Sequence, residues 1–277
     1  MQQLSRIFSD QFNIKMDLNL KNKVILVTGG ARGIGAAIVK LLALESAVPV
    51  IVGKDEQDNI KMLEDIKSLS PDSTQIIAEL TRPEDCAAAV KLTAERYGRI
   101  DGLVNNAGIN DGIGLEKGTY EEFILSLHRN VVHYFLMTQG CLPFLKKSSG
   151  AIVNITSKVA ETGQGNTSAY AAATGGRNAL TREWAVELLP FGIRVNSIVV
   201  SECYTPLYEY WVNTFPDPQT KLKQVTEKIP LGKRMTTPEE IANTAVFLLS
   251  DRSSHTTGQL IHVDGGYVHL DRSLANN

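Results

Sequence analysis

The fold of this chain is decided by the stretch Thr28-Gly29-Gly30-Ala31-Arg32-Gly33-Ile34-Gly35. It follows the apolar run 24–27 and opens a segment of helical period, so its glycines lie between a strand and a helix. Glycine allows a tight turn and lets backbone N–H groups approach a diphosphate, while a helix N-terminus favours negative charge. The stretch therefore predicts a site for a dinucleotide.

Outward from this loop, apolar runs rich in Val and Ile alternate with segments of helical period. Continuous apolar runs are typical of parallel strands that are buried on both faces. The predicted strands are 24–27, 48–52, 74–78, 102–105, 151–155, 193–199 and 260–263, and the predicted helices are 34–43, 58–68, 83–97, 120–145, 168–189 and 238–249. The pattern predicts an α/β, single-domain Rossmann fold: a doubly wound parallel sheet of about seven strands with helices on both faces.

The composition excludes several classes of protein. The chain has 277 residues, of which 43% are hydrophobic and 21% are charged, with a formal net charge of −2. Without a basic stripe, nucleic acid is not expected as a partner, and no apolar run reaches the roughly 18 residues of a membrane span. Three widely spaced cysteines without a CxxC pair favour a reducing, cytoplasmic setting. The histidines show no metal-ligand spacing, so no metal is predicted.

Two segments lie outside the regular alternation. Residues 1–15 lack a signal-peptide core and are interpreted as a disordered N-terminal extension of a Rossmann-type domain that spans 16–277. Residues 203–235 contain four prolines and a group of aromatic side chains. Because ligands in such folds bind outside the carboxyl ends of the strands, this segment is interpreted as a lid over the substrate. An irregular excursion packed on the sheet edge is the alternative.

The end of the second predicted strand selects the nucleotide, because an acidic residue there would bind the ribose hydroxyls. This chain has Gly53-Lys54 at that point, and Arg32 lies in the glycine loop. The two cations can meet a 2′-phosphate, which favours NADP over NAD. Asp55 lies close enough to leave NAD open.

A series of polar residues follows in a specific order. The run Asn105-Asn106-Ala107-Gly108 closes the fourth strand, Asn130 lies in the middle of a helix, Ser157 follows the fifth strand, and Tyr170 opens the next helix. Together with the glycine stretch, these residues resemble the short-chain dehydrogenase/reductase family over residues 18–270. The resemblance implies a nicotinamide dinucleotide and a homotetramer built through the fourth and fifth helices and the C-terminal strand.

The resemblance also gives these residues roles. Tyr170 is the implied base, which takes the hydroxyl proton while hydride leaves the neighbouring carbon. Ser157 would hold the substrate oxygen, and Asn130 would fix a water in a proton relay. The implied cofactor-binding residues are Gly29, Ala31, Arg32, Gly33, Ile34, Gly35, Gly53, Lys54, Glu79, Leu80, Asn106, Ala107, Gly108, Tyr170, Thr174 and Thr205.

Position 174 departs from the family pattern Tyr-x-x-x-Lys, because this chain reads Tyr170-Ala-Ala-Ala-Thr174. A lysine four residues on lies on the same helix face and favours the phenolate, whereas an unassisted phenol has a pKa of about 10. A threonine hydroxyl can still bond a ribose, but it carries no charge. Either of two nearby cations, Lys158 and Arg177, could substitute for the lysine. Against this, Lys158 projects from a loop and Arg177 lies a helical turn, about 5 Å, too far along. We therefore expect impaired turnover.

Polar and aromatic residues on the substrate side favour a sugar, which needs several fixed hydrogen bonds and an aromatic face. Short runs such as 154–158 and 181–188 resemble the sugar-oxidising branch typified by L-fucose dehydrogenase, which implies oxidation of C1 of an aldopyranose to the lactone. Reduction of a 3-oxoacyl thioester and a non-catalytic NADP-binding subunit are the alternatives. The predicted substrate contacts are Ser157, Gln164, Asn166, Glu202, Tyr208 and Trp211.

Overall fold

A single sheet of seven parallel strands organises the chain. The computed structural model describes residues 16–271, so the predicted extension 1–15 lies outside the described residues. The strands follow the order β3-β2-β1-β4-β5-β6-β7, which confirms the predicted doubly wound fold. They are β1 (Val24–Thr28), β2 (Val48–Gly53), β3 (Thr74–Ile77), β4 (Gly102–Asn105), β5 (Ala151–Ser157), β6 (Arg194–Val200) and β7 (Leu260–Val263).

Helices connect the strands and cover both faces of the sheet. They are α1 (Gly33–Leu44), α2 (Glu56–Ile66), α3 (Pro83–Tyr97), α4 (Tyr120–Leu127), α5 (His133–Ser148), α6 (Ser168–Glu187), α7 (Pro206–Val212), α8 (Pro218–Thr226) and α9 (Pro238–Leu249). The predicted helix 120–145 is interrupted by a π-helical turn at His128–Val132. No helix of residues 16–271 is both long and apolar enough to cross a membrane.

The core consists of one apolar cluster on each face of the sheet. Successive residues of a strand point to opposite faces, and accordingly Ile25 packs in one cluster while Leu26 packs in the other. Ile38 of α1 joins the first cluster, and Tyr134 of α5 joins the second. Full burial of one such side chain stabilises the fold by about 1.5 to 3 kcal/mol. Burial on both faces explains why the strands read as continuous Val and Ile runs.

The order of the strands reverses between β1 and β4, and ligands of doubly wound sheets bind in the crevice at such a point. Side-chain hydrogen bonds connect the two strand ends. The amide Nδ2 of Asn106 donates to the carbonyl of Thr28 at 2.9 Å, and the backbone N–H of Asn106 donates to Thr28 Oγ1 at 2.9 Å. The fold therefore holds the glycine loop and the Asn-Asn-Ala-Gly run side by side.

The segment 203–235 contains two helices, α7 and α8, rather than irregular chain. Both begin with proline in the first turn, and the Thr205 hydroxyl caps α7 by accepting from the N–H of Tyr208 at 3.2 Å. The two ends of the segment are joined, because Cys203 forms a parallel bridge with Thr236. The segment therefore begins and ends at adjacent points next to the sheet.

Candidate active site

A cavity of about 960 Å³ lies where β1, β2, β4, β5 and β6 end, a size typical of ligand sites. It brings together most residues that the sequence assigns to the cofactor. Those that line it are Gly29, Ala31, Arg32, Gly33, Ile34, Gly53, Lys54, Glu79, Leu80, Asn106, Ala107, Gly108, Tyr170 and Thr205. Gly35 and Thr174 do not line it.

The glycine loop has a backbone that only glycine adopts readily. Gly29 and Gly33 have φ values of +63° and +54°, in the left-handed region. A Cβ on Gly35 would overlap the carbonyl oxygen of Gly29 and lie 2.7 Å from Asn106 Nδ2. Helix α1 has no side-chain N-cap and no acidic residue in its first turn. Its first N–H groups are therefore available for an anion, which fits a dinucleotide diphosphate.

The two cations predicted to meet a 2′-phosphate are both paired with carboxylates. Arg32 pairs with Asp58 through Nε, and its Nη2 lies 3.8 Å from Asp55. The Nζ of Lys54 lies 3.6 Å from Glu79 Oε2. Partial burial opposes ionisation of Glu79, but hydrogen bonds with Thr81 and the charge of Lys54 hold its pKa below the usual value. This end of the cavity thus has three carboxylates for two cations.

Ser157 and Tyr170 lie in the wall of the cavity, at the end of β5 and in the first turn of α6. Asn130 is fully buried behind that wall and does not line it. Its Oδ1 accepts from the N–H of Ile109 at 2.8 Å, and its Nδ2 donates to the carbonyl of Ser126 at 3.0 Å. The Asn130 side chain therefore positions the loop after β4.

Thr174 does not point its hydroxyl at the cavity. The residue is 0% exposed, and its Oγ1 donates to the carbonyl of Tyr170, one turn back, at 2.8 Å. Threonine in a helix commonly makes this bond. The expectation that the Thr174 hydroxyl bonds a ribose is corrected accordingly, because the helix itself uses that donor.

Arg177 reaches the wall of the cavity that contains Ser157 and Tyr170, contrary to the expectation that it lies too far along α6 from Tyr170. Arg177 is one of the residues that line the cavity, and its Cζ atom lies 5.8 Å from the ring centre of Tyr170. Seven residues are nearly two helical turns, so Arg177 and Tyr170 share one face of α6, and the long side chain spans the remaining distance. That spacing is the sequence signal which identifies Arg177. His133, Ile109 and Tyr210 line the cavity as well and were not predicted.

Fewer of the predicted substrate contacts than of the predicted cofactor contacts line the cavity. Tyr208 lines the cavity from α7, whereas Gln164, Asn166, Glu202 and Trp211 do not. Gln164 and Asn166 are exposed on the loop between β5 and α6. Glu202 is ion-paired with Lys158, and Trp211 packs edge-on against Tyr208 with ring centres 5.1 Å apart. Burial and the neighbouring Glu202 carboxylate raise the pKa of Tyr208 above its usual value, so the phenol stays protonated.

A second group of polar side chains, which the spacing of the histidines in the sequence did not reveal, lies outside the cavity. Glu161, His262 and His269 place their potential ligand atoms within 4.8 Å of one another. Glu161 Oε2 and His262 Nε2 are 3.0 Å apart, a hydrogen bond that joins the loop after β5 to β7. Glu161 is remote in sequence from the two histidines, so only the fold brings the three residues together.

Comparisons with known proteins place this geometry in a family. A family profile described as "Enoyl-(Acyl carrier protein) reductase" matches residues 29–268. An L-fucose dehydrogenase of Bos taurus is 36% identical, with 91% of each chain covered. A 3-oxoacyl-[acyl-carrier-protein] reductase FabG of Thermotoga maritima is 35% identical, over 91% of this chain and all of the relative. The crystal structure of Cj0485 dehydrogenase is 47% identical with a TM-score of 0.90, over 94% of this chain and 99% of that one.

A doubly wound sheet with a glycine loop at its switch point and a serine and tyrosine in the cavity wall defines a nucleotide-dependent oxidoreductase. The chain belongs to the short-chain dehydrogenase/reductase family. Its members bind NAD or NADP, and the relatives act on alcohol or carbonyl groups.

Proposed function

We propose that this protein oxidises C1 of an aldose such as L-fucose to the lactone, with NAD(P) as the hydride acceptor. The observation that carries the proposal is the convergence of Ser157, Tyr170 and Tyr208 on one cavity. Two of them are the implied catalytic pair, and the third adds an aromatic face with a polar tip, which suits a sugar. The L-fucose dehydrogenase relative, 36% identical over 91% of this chain, favours the same substrate class.

The side chains divide the reaction between them. The C1–H and O–H bonds of the hydroxyl-bearing carbon break and a C=O bond forms, and the phenolate of Tyr170 takes the proton and releases it to solvent. The Ser157 hydroxyl donates a hydrogen bond to the substrate oxygen. The bound nicotinamide supplies the acceptor for the hydride. Asn130 holds the loop after β4, whose Asn106, Ala107 and Gly108 would contact the dinucleotide.

For the nucleotide, we propose that NAD is accepted at least as well as NADP. The sequence favours NADP because of Arg32 and Lys54, but a 2′-phosphate would have to displace Asp58 and Glu79 from those cations. It would also approach Asp55. Like charges at short range oppose binding, and the ribose hydroxyls of NAD instead use a carboxylate as hydrogen-bond acceptor.

Reduction of a 3-oxoacyl thioester is the second candidate. Its support is the FabG relative, which is 35% identical and covered along its whole length. In this reaction Tyr170 would donate its proton to the carbonyl oxygen while hydride arrives from the reduced cofactor. Oxidation of NADPH or NADH by acetoacetyl thioesters distinguishes it from aldose oxidation.

The deciding experiment follows cofactor reduction at 340 nm with a panel of aldoses led by L-fucose, with NAD and NADP in parallel. We expect turnover of one or more aldoses that is abolished in Tyr170→Phe, a variant that keeps the ring but removes the proton acceptor. Activity with thioesters alone would favour the second candidate. Cofactor binding without turnover on either panel would favour the non-catalytic subunit.

We also propose a cytoplasmic homotetramer built through α4 and α5, which replace the fourth predicted helix, through α6, which is the fifth, and through the C-terminal strand β7. The three cysteines are buried free thiols, which suits a reducing compartment. Burial raises the pKa of Cys141 to about 12, so this thiol is unreactive. The outer face of α6 has small exposed residues such as Ala172 and Ala179, which permit close approach of a second helix.

A further inference from the structure

The family pattern places a lysine four residues after its tyrosine, and this chain has the uncharged Thr174 there. The cavity nevertheless contains a cation beside the tyrosine. Arg177 projects from the same face of α6, and its guanidinium carbon lies 5.8 Å from the Tyr170 ring centre. Lys158, the other nearby cation, is paired with Glu202 and lies 3.8 Å over the ring of Tyr267. Arg177 is therefore the candidate for the missing charge.

The contacts of Arg177 fix its position without cancelling its charge. Its Nε donates to the carbonyl of Asn130, its Nη1 donates to the carbonyl of Ile155 at 3.2 Å, and its Nη2 donates to Asn130 Oδ1 at 3.2 Å. Every one of these acceptors is neutral. Within residues 16–271, Arg177 forms no salt bridge, although the residue is only 2% exposed.

A buried charge without a counter-ion is costly, and such groups are concentrated at functional sites. The three hydrogen bonds to Asn130 and Ile155 hold the guanidinium in the wall of the cavity that Arg177 lines. A Cβ on Gly108 would lie 2.7 Å from Arg177 Nη2, so the glycine that ends the Asn-Asn-Ala-Gly run leaves the space that this guanidinium occupies. The cation therefore lies between the implied base and the loop assigned to the cofactor.

The backbone of the neighbouring helix supplies the main acceptor. Asn130 lies in the π-helical turn between α4 and α5. A π-helical turn interrupts the regular i to i−4 bonding, and such turns occur often at functional sites. The Asn130 carbonyl accepts from Arg177 Nε. This places both oxygens of Asn130, that of its backbone carbonyl and that of its side-chain amide, on the guanidinium.

The other titratable groups around the pair add no opposing charge. Burial, reinforced by the charge of Arg177, lowers the pKa of His133 to about 3, so His133 is neutral near pH 7. Burial raises the pKa of Tyr134 well above its usual value, so it is also neutral. Lys158 and Glu202 form an internal ion pair, and Arg129, which lines the cavity, lies 3.9 Å from Asp111.

We propose that Arg177 is a positioning residue that supplies, from two helical turns beyond Tyr170, the positive charge which the family pattern supplies from one turn. It favours the ionised form of the Tyr170 phenol and holds Asn130 and β5 around it. This proposal rests on the proposed role of Tyr170 as proton acceptor, but not on the identity of the substrate. It replaces the expectation that Thr174 impairs turnover.

The first test measures the ionisation of Tyr170 without any substrate. Protein labelled with ¹³Cζ-tyrosine and saturated with NAD is titrated by NMR, and Tyr170→Phe identifies the resonance. In Arg177→Gln, which keeps a donor but removes the charge, the pH of half-ionisation rises by about 1 to 3 pH units. Thr174→Lys in the Arg177→Gln background returns it to the native value. Arg182→Gln, at an exposed arginine of the same helix, leaves it unchanged.

The second test uses turnover on any substrate that the native protein accepts. Arg177→Gln lowers kcat at pH 7 by about tenfold to a thousandfold, the factor that corresponds to such a shift, and this loss shrinks as the pH is raised. Arg177→Lys retains most of the rate. Thr174→Lys in the native background changes kcat by less than about threefold, because the charge is already present.

Three outcomes would overturn the proposal. One is an Arg177→Gln variant whose Tyr170 titrates as in the native protein. Another is a Thr174→Lys variant with a kcat about tenfold or more above native, which would mean that the charge is absent from the native site. This variant keeps Arg177, so it decides the matter even if Arg177→Gln does not fold. The third is a double variant, Arg177→Gln with Thr174→Lys, in which the half-ionisation pH of Tyr170 does not return towards the native value. If the protein does not turn over aldoses, only the proposed function is contradicted. The NMR titration needs no substrate and still tests the role of Arg177.

Discussion

Gly35 shows how one missing methyl group supports the cofactor loop. An alanine there would force its Cβ onto the carbonyl of Gly29 and to within 2.7 Å of Asn106 Nδ2. Overpacking of this kind costs about 1 to 3 kcal/mol, which corresponds to about a tenfold to hundredfold loss of affinity. We expect Gly35→Ala to weaken binding of NAD by that factor, measured by fluorescence titration. Gly163→Ala has open space around its Cβ and serves as the control. Equal affinities in the two variants would contradict the loop's role.

Asp58 is the residue at which we expect a single charge to alter the nucleotide preference. Its carboxylate pairs with Arg32, and neutralising it in Asp58→Asn frees the guanidinium for a 2′-phosphate. Because the Arg32 side chain is 66% exposed and water screens its charge, we expect a change of about threefold to fivefold in the NADP to NAD ratio of kcat/KM. The matched control is Asp65→Asn, because Asp65 lies on α2 like Asp58 but pairs with Lys40 of α1. A ratio that stays constant in Asp58→Asn would exclude Arg32 from nucleotide selection.

Helix α7 brings the aromatic side chain of Tyr208 to the cavity, and we expect Tyr208 to contribute to substrate binding rather than to proton transfer. The Tyr208 hydroxyl is buried and has no partner of ordinary hydrogen-bond geometry among residues 16–271. A sugar hydroxyl would satisfy it. We expect Tyr208→Phe to raise KM for the aldose about threefold to tenfold, the value of one neutral hydrogen bond, with little change in kcat. Tyr204 does not line the cavity, so Tyr204→Phe is the control and should change neither KM nor kcat. A fall in kcat alone would assign Tyr208 a different role.

Helix α9 begins with a charged capping box that makes its stability depend on pH. The Glu240 side chain accepts from the N–H of Thr237 at 2.9 Å and pairs with Arg234 at 2.6 Å. The ion pair, reinforced by that backbone bond, lowers the pKa of Glu240 to about 2. A lowered pKa means that this contribution to stability is complete above about pH 4.5 and is lost as the pH falls towards about 2.

We therefore expect Glu240→Gln to lower Tm by about 2 to 4 °C at pH 6. The difference from native narrows as the pH falls from about 4.5 towards about 2, because Glu240 is protonated there in the unfolded chain but still ionised in the folded protein, so that unfolding takes up a proton. Thermal unfolding followed by circular dichroism from pH 7 to pH 3 measures it. Glu239→Gln, at a neighbouring carboxylate with no ion pair or hydrogen bond in the described chain, should give a parallel curve to native. A constant difference for Glu240→Gln at all pH values would rule out the ionic contribution.

On the scale of the whole molecule, the proposed tetramer is expected to use the outer face of α6. Exposed Ala172 and Ala179 lie on the side of that helix away from the sheet. We expect Ala179→Arg to prevent close packing of a second copy and to convert the proposed tetramer into smaller species, measured by light scattering after size exclusion. Gln219→Arg places the same side chain on exposed α8 and should leave the mass unchanged. A tetramer that persists in Ala179→Arg would place the interface elsewhere.

Much of the fold was predictable because its signals are local. A strand that is buried on both faces is apolar throughout, as in β1 and β2, and a turn that must approach a diphosphate needs glycine at set positions, as in residues 28–35. The Ser157 and Tyr170 positions follow for the same reason, since each lies directly at the end or start of a predicted element. The π-helical turn at His128–Val132 was not predictable, because its periodicity differs from an α-helix by only a single residue.

The sequence by itself determined the sheet, the glycine loop and the family. Only the tertiary structure decided where the charges lie: Arg177 beside Tyr170, Asp58 on Arg32, Glu202 on Lys158, and Glu161 on His262. The physical reason is that a strand or turn is encoded by neighbours along the chain. The partner of a charged side chain depends instead on contacts with residues far apart in sequence. These contacts are set by the length of the side chains and by packing, and they leave no local pattern in the sequence.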